Sequence, residues 1–247
     1  MILLFDVGNT NVTIGLSDGI QMNHVYRLNT NVTLTADQYY IDMKNLFDFN
    51  QVEHVAISSV VPRLTEKLKE ICQKHMNLTP LIVGPGVKTG VNIKTDHPRE
   101  VGADLICDAA GVDDDLSSTL VVDLGTAVKY IYVKDKMIKG VVISPGVTIS
   151  IKALVGHTAL LPDIDIEVPK KVLGTNTIHC MQSGVTYGVA AEVDGMITRI
   201  QDEVHESFKV ILTGGLSDTI APLCREEAIR DGDLTLKGLL KIFYKNQ

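Results

Sequence analysis

One strand-turn-strand unit occurs twice in this chain. Ile2-Leu3-Leu4-Phe5-Asp6-Val7-Gly8-Asn9-Thr10 and Thr119-Leu120-Val121-Val122-Asp123-Leu124-Gly125-Thr126 both run from an apolar stretch into Asp-x-Gly, with a Thr just beyond. Each continues into a second strand and then a turn, at Asp18-Gly19 in one copy and Asp135-Lys136 in the other. The offset from Asp6 to Asp123 equals the offset from Asp18 to Asp135. Duplication at constant spacing restricts the fold to two related halves and predicts that they face each other across a cleft. Small turn residues with hydroxyl and amide groups can wrap a phosphate closely, and an Asp at a strand end can hold a cation beside it.

A chain of 247 residues can bury enough apolar surface for two domains of ordinary size. A net charge of −7, with no run of Lys and Arg, argues against a nucleic-acid or anionic-membrane surface. No apolar run reaches the roughly 18 residues of a membrane span, and no basic leader precedes the first strand. Cys72, Cys107, Cys180 and Cys224 are far apart and form no CxxC pair. That spacing points to reduced thiols and a cytoplasmic protein, with neither a zinc site nor a disulfide framework.

The remaining periodicity alternates strands and helices. A meander covers 2–28, and 35–49 has helical spacing with Thr35 as its N-cap. A buried strand is expected over 52–60, a helix over 62–75, and a short strand over 81–83 that runs into Gly84-Pro85-Gly86. Asp96 or His97 caps a helix expected over 98–110, with Pro98 in its first turn. The polar stretch 113–118 is the expected boundary, dividing the chain into domains 1–115 and 116–247. Strands follow near 119–123, 128–134 and 137–143, then a helix after Pro145-Gly146 and a long helical stretch over 176–207. A strand over 209–212 and a closing helix over 234–244 complete the order. The pattern implies a mixed α/β sheet in each half.

Several motifs carry chemistry. In Asp6-Val7-Gly8-Asn9-Thr10-Asn11, the Gly permits a tight turn, and Asn9, Thr10 and Asn11 offer donors to phosphate oxygens. Asp6 can hold a magnesium-bound water. An ordinary hairpin uses the same residue types, but the second copy at Asp123–Thr126 favours phosphate binding. Thr213-Gly214-Gly215 is either a flexible strand-to-helix turn or a place where backbone approaches an adenosine. Gly102-Ala103-Asp104 sets a carboxylate among apolar neighbours in a helix. Such an Asp is either a solvated residue or a base able to accept a proton from a substrate hydroxyl. No Walker A, HExxH or Ser-His-Asp arrangement is present.

In order, these motifs resemble the type III pantothenate kinases of the actin, Hsp70 and sugar-kinase superfamily, over nearly the whole chain. The resemblance rests on Asp6-Val7-Gly8-Asn9-Thr10-Asn11, Gly84 to Gly90, Pro98-Arg99-Glu100-Val101-Gly102-Ala103-Asp104 and Asp123-Leu124-Gly125-Thr126-Ala127. It continues through Ser144-Pro145-Gly146, Asn176-Thr177, Met181-Gln182-Ser183-Gly184 and Thr213-Gly214-Gly215. It implies two actin-like (ribonuclease H-like) domains and transfer of the ATP γ-phosphate to pantothenate, the first step towards coenzyme A. It also implies the roles. Asp6, Val7, Gly8, Asn9, Thr10, Asn11, Val12 and Thr13 form the first ATP loop, and Thr126 touches ATP from the second. Asp123 binds a monovalent cation, K+ or NH4+, and Mg2+ accompanies the nucleotide. Asp104 is the general base, with Gly102, Ala103 and position 105 beside pantothenate. Thr177 reaches pantothenate across a homodimer interface.

The chain departs from the family pattern at four places. Leu105 stands where an Arg is usual, and Thr95 where a Tyr is usual. Val128-Lys129 replaces two threonines, and Lys139-Gly140 replaces Gly-Gly. The Arg and Tyr serve the pantothenate side, and loss of a bidentate Arg removes about 1.5–3 kcal/mol of charge-assisted hydrogen bonding. Lys129 adds a fixed positive charge beside the second loop. The alternative reading is therefore a diverged paralogue with weak or no kinase activity, acting as a nucleotide-dependent regulator or binding protein.

Overall fold

The computed structural model describes all 247 residues, and the chain divides into two compact units. Unit 1 comprises Met1–Asp113 with Leu234–Gln247, and unit 2 comprises Asp114–Asp233.

Unit 1 is built on a five-stranded mixed sheet. Its strands are β1 (Ile2–Val7), β2 (Asn11–Ser17), β3 (Met22–Asn29), β4 (His54–Ser59) and β5 (Leu81–Ile82), in the order β3-β2-β1-β4-β5. The meander β1-β2-β3 is antiparallel, and β4 and β5 add parallel strands beside β1. Strand β1 alternates between two cores. Leu3, Phe5 and Val7 face α1 (Ala36–Lys44) and α2 (Pro62–Met76), packing with Tyr39, Met43, Leu64, Leu68 and Ile71. Ile2 and Leu4 face α3 (Ala103–Gly111) and α7 (Leu234–Tyr244), packing with Ile106, Cys107, Leu239, Ile242 and Phe243. A strand covered on both faces must be apolar at every position, which explains the unbroken run Ile2–Phe5.

Unit 2 repeats the order with β7 (Ser118–Leu124), β8 (Ala127–Lys134), β9 (Met137–Pro145), β10 (Lys209–Thr213) and β11 (Ile229–Arg230); a two-residue strand β6 (Asn92–Ile93) precedes them in the chain. The meander β7-β8-β9 is again antiparallel, with β10 parallel to β7 and β11 parallel to β10. Helix α4 (Val147–Gly156) and the long α5 (Thr177–Val204) contribute Val147, Ile151, Val185, Val189, Val193 and Ile197. These pack over Leu120, Val122, Leu124, Tyr130 and Leu212. The short α6 (Ser217–Ile220) follows β10.

Local signals behave as their chemistry predicts. Thr35 and Gln38 form a reciprocal capping box at α1, and Asn176 caps α5 by accepting the His179 N–H at 2.9 Å. Asn77 and His205 end α2 and α5 in the left-handed region.

Three boundaries differ from expectation. The helix expected over 35–49 stops at Lys44, because Asp48 caps a separate 3-10 turn over Phe49–Gln51. The helix expected over 98–110 is a 3-10 turn, Pro98–Glu100, followed by α3; extended backbone at Gly102 separates the two, and His97 makes no side-chain cap. The closing helix was expected within a 116–247 domain, but α7 belongs to unit 1. Leu236, Leu239, Ile242 and Phe243 fill the core beside Ile2, Leu4 and Ala56, and a Cβ at Gly238 would overlap the Cys107 carbonyl.

Candidate active site

In unit 1 the site is built where β1 and β4 end and α3 begins. Asp6 lies opposite Ser58 in the parallel β1–β4 pair, and Ser58 Oγ donates to Asp6 Oδ1 at 3.0 Å. The following turn is closed by the Gly8 N–H on the Asn11 carbonyl at 2.9 Å. Thr30, directly after β3, clamps it, its hydroxyl donating to the Gly8 carbonyl at 2.6 Å and its N–H to the Thr10 carbonyl at 2.8 Å. Asn9, Thr10 and Asn11 are exposed on this fixed loop. Val7 and Val12 are not, since both are core side chains. Of those two expected ATP contacts only backbone can take part. Thr13 pairs with Asp6 across β1–β2 and is half-buried.

Asp104 stands in the first turn of α3, where the helix macrodipole favours a negative charge. Its Oδ1 accepts the Leu105 N–H at 2.9 Å. Cys107, one turn on, is fully buried and takes a hydrogen bond with Ser58. Burial above all, then the carboxylates of Asp6, Asp108 and Asp104, push its thiol well above the ordinary range. Ser58, hydrogen-bonded to both Asp6 and Cys107, ties the end of β1 to α3. Leu105 is buried, and Arg99 is exposed on the turn before Gly102 and makes no ion pair. Ser58 and Cys107 were not singled out from the sequence; the only signal was a pair of serines ending an otherwise apolar strand.

In unit 2 three motifs meet. Asp123 ends β7, and the turn Gly125-Thr126 leads into β8. The Gly146 N–H at the start of α4 donates to the Thr126 carbonyl at 3.2 Å, and a Cβ at Gly146 would overlap the carbonyls of Gly125 and Thr126. Gly214, at φ 89°, packs its backbone on Leu124, and the Leu216 N–H donates to the Leu124 carbonyl at 3.2 Å. The second turn is one residue shorter than the first: Leu124 pairs with Val128, whereas Val7 pairs with Val12. Thr177 stands at a different place in this unit, exposed at the first position of α5.

The Asp123 carboxylate is engaged from within its own sheet. Lys129 lies directly opposite it in the β7–β8 register, and Lys129 Nζ is 2.6 Å from Asp123 Oδ2. The two side chains are 14% and 12% exposed. Oxygen ligands suit a monovalent ion, but an ammonium fixed on one of the oxygens does not, so this arrangement does not fit a metal ion at Asp123. No group of three or more His, Cys, Asp or Glu side chains is placed to hold a metal elsewhere.

A family model for type III pantothenate kinases matches residues 2–199. The chain belongs to the type III pantothenate kinase family. A type III pantothenate kinase from Acholeplasma laidlawii is 51% identical over 246 residues, spanning 100% of this chain and 99% of the relative. One from Exiguobacterium sp. is 45% identical over 254 residues, with 100% of both covered. Among solved structures, the (R)-2-hydroxyglutaryl-CoA dehydratase component A of Acidaminococcus fermentans matches 99% of this chain and 98% of its own, at 14% identity and a TM-score of 0.56. A protein provisionally named an N-acetylglucosamine kinase, from Porphyromonas gingivalis, matches 100% and 99% at 10% identity and a TM-score of 0.53. At these identities the solved structures establish the fold alone, two mixed sheets flanked by helices in the actin-like manner. For this pantothenate kinase family member, the full-length relatives favour the kinase reading over the diverged-paralogue one.

Proposed function

We propose that this chain transfers the γ-phosphate of ATP to the pantothenate hydroxyl, with Asp104 as general base. The reading rests on the family match together with one observation. Ser58 donates to Asp6, at the start of the exposed loop, and takes a hydrogen bond with Cys107, one helical turn beyond Asp104, so the loop and the start of α3 are joined through Ser58. Phosphoryl transfer asks little covalent chemistry of the protein, so positioning and charge neutralisation carry the rate.

In unit 1, Asn9, Thr10 and Asn11 bind ATP phosphates with side-chain donors, and the Val7–Gly8 and Val12 backbone completes the loop. Thr126 adds a contact from unit 2. Asp6 would hold a divalent ion, Mg2+, through bound water; when bound, that ion neutralises charge on the phosphates. Asp104 takes the proton of the pantothenate hydroxyl as the phosphoryl group leaves ATP. Gly102 and Ala103 leave room for the substrate chain beside that carboxylate.

The pantothenate carboxylate needs a partner, and buried Leu105 supplies none. Arg99 takes that role, because its guanidinium is exposed, makes no ion pair and lies three residues before Gly102. Thr177 contacts pantothenate from the second copy of a homodimer. Exposed Leu160 and Leu173 in the stretch before α5, and Ile178 in its first turn, supply apolar surface for that association. The chain works in the cytoplasm, consistent with four unpaired cysteines and no helix long and apolar enough to cross a membrane.

The decisive experiment is ATP-dependent formation of 4'-phosphopantothenate by the purified chain. Product at a rate proportional to enzyme is expected. Nucleotide binding without product would overturn the assignment.

A further inference from the structure

A buried carboxylate must be neutralised or paired, and the means by which Asp123 achieves this has a consequence for salt dependence. Oδ2 is met by the Lys129 ammonium at 2.6 Å. Oδ1 is walled by glycine backbone: a Cβ on Gly214 would overlap it, and one on Gly125 would stand 3.3 Å away. The pairing is fixed by the sheet. Asp123 and Lys129 face each other directly across β7 and β8, two residues from a tight turn, and slipping the register by one residue would turn the side chain to the other face. An ammonium carries the charge of a potassium ion and the donors of a free ammonium ion. A second monovalent cation at Oδ2 would meet it at a distance where like charges repel strongly in a shielded site.

We propose that Lys129 is a built-in monovalent cation: its ammonium serves Asp123 in place of a diffusible K+ or NH4+. The proposal rests on the kinase reading only for what it says about turnover; its core claim concerns nucleotide binding. Lys129 acts as a positioning residue, holding the Asp123 strand end and the Gly125-Thr126 turn in the geometry that accepts the nucleotide.

The test measures affinity for a non-hydrolysable ATP analogue by calorimetry. Buffers have matched ionic strength and contain tetramethylammonium, potassium or ammonium as the sole monovalent cation. The native chain should bind equally in all three. Lys129→Thr should bind about tenfold more weakly in tetramethylammonium, the loss of one charge-assisted contact. It should regain that affinity in potassium or ammonium, which merely structural damage would not allow. A native chain that tightens about tenfold on adding potassium would overturn the proposal, as would a Lys129→Thr chain that binds well without potassium. If the variant does not fold, the native chain's response decides alone. Turnover with pantothenate is followed in parallel. Absent turnover in every salt, with the affinity pattern intact, would remove the kinase reading and leave the cation proposal standing.

Discussion

The Cα of Gly102 faces the Asp104 carboxylate so closely that a Cβ there would stand 2.5 Å from Oδ1. The nearest atom is the end of a side chain, and the Gly102 backbone, at φ −62°, suits any residue. Gly102→Ala should therefore fold normally but displace the carboxylate, lowering kcat by about tenfold or more. Asp104→Asn keeps the shape and removes the base, and should lower kcat by about two to four orders of magnitude. Steady-state kinetics, with nucleotide affinity measured separately, checks both. Near-native kcat in Asp104→Asn would remove that residue from the mechanism.

Arg99 and Leu105 should respond in opposite ways. Arg99→Ala should raise KM for pantothenate about tenfold, equivalent to about 1.4 kcal/mol, while KM for ATP stays put. Leu105→Arg would place a guanidinium at a buried position, so its first effect should be a lower unfolding midpoint in the absence of substrate. Pantothenate titrations and thermal unfolding distinguish the two.

Neighbouring glycines in unit 2 should differ sharply. Gly214 has φ 89°, and a Cβ there would overlap Asp123 Oδ1 and stand 2.7 Å from backbone atoms of Leu124. Gly214→Ala should cost about 2 kcal/mol or more, from left-handed strain alone about 1–2 kcal/mol and the rest from the clash. Gly215 has open space around it, so Gly215→Ala should be nearly neutral. Denaturant midpoints of the two variants test the contrast.

Glu206 should make stability acid-sensitive. Its carboxyl is held down at about 2, first by the Lys134 ammonium, then by the Tyr132 hydroxyl, with Ser118 also donating. A depressed carboxylate contributes stability that is present above its ordinary value of 4.5 and is lost as pH falls towards 2. The stability difference between the native chain and Glu206→Gln should therefore shrink across that window and be level above it. Chemical denaturation at a series of pH values would reveal it.

Thiol reactivity should follow burial. Burial pushes the Cys72 thiol up to about 12 and Cys107 well above its ordinary range, whereas Cys180 is exposed. At mildly alkaline pH, iodoacetamide should label Cys180 first and leave Cys72 and Cys107 unmodified until the chain unfolds. Peptide mapping by mass spectrometry gives the order directly.

The duplicated Asp-x-Gly unit was legible in the sequence because its strands are apolar throughout and its turns need small residues. The Thr35 cap was legible for a similar reason: it is a local hydrogen bond between residues three apart. The break at Gly102 was not, since Pro98, Glu100 and the apolar spacing all read as one helix, and only the extended backbone at Gly102 separates the turns. The Asp123–Lys129 pair was half legible. A positive charge near the second loop follows from the sequence, but contact depends on a turn one residue shorter than the first. The Ser58–Cys107 support for Asp6 and Asp104 joins three separate elements, β4, α3 and β1, and no local pattern encodes such a meeting. The placement of α7 was missed for the same reason, because its apolar stripe matches either core.

That placement has a consequence for synthesis. Unit 1 is interrupted in the chain by the whole of unit 2, and four of its core side chains, Leu236, Leu239, Ile242 and Phe243, belong to its final fourteen residues. A ribosome making this protein has joined every residue of unit 2 while unit 1 still lacks the helix that covers its apolar face around Ile2, Leu4 and Ala56. The half that begins first is therefore finished last, and a messenger truncated just before its end would yield a chain whose second half is whole and whose first half is not.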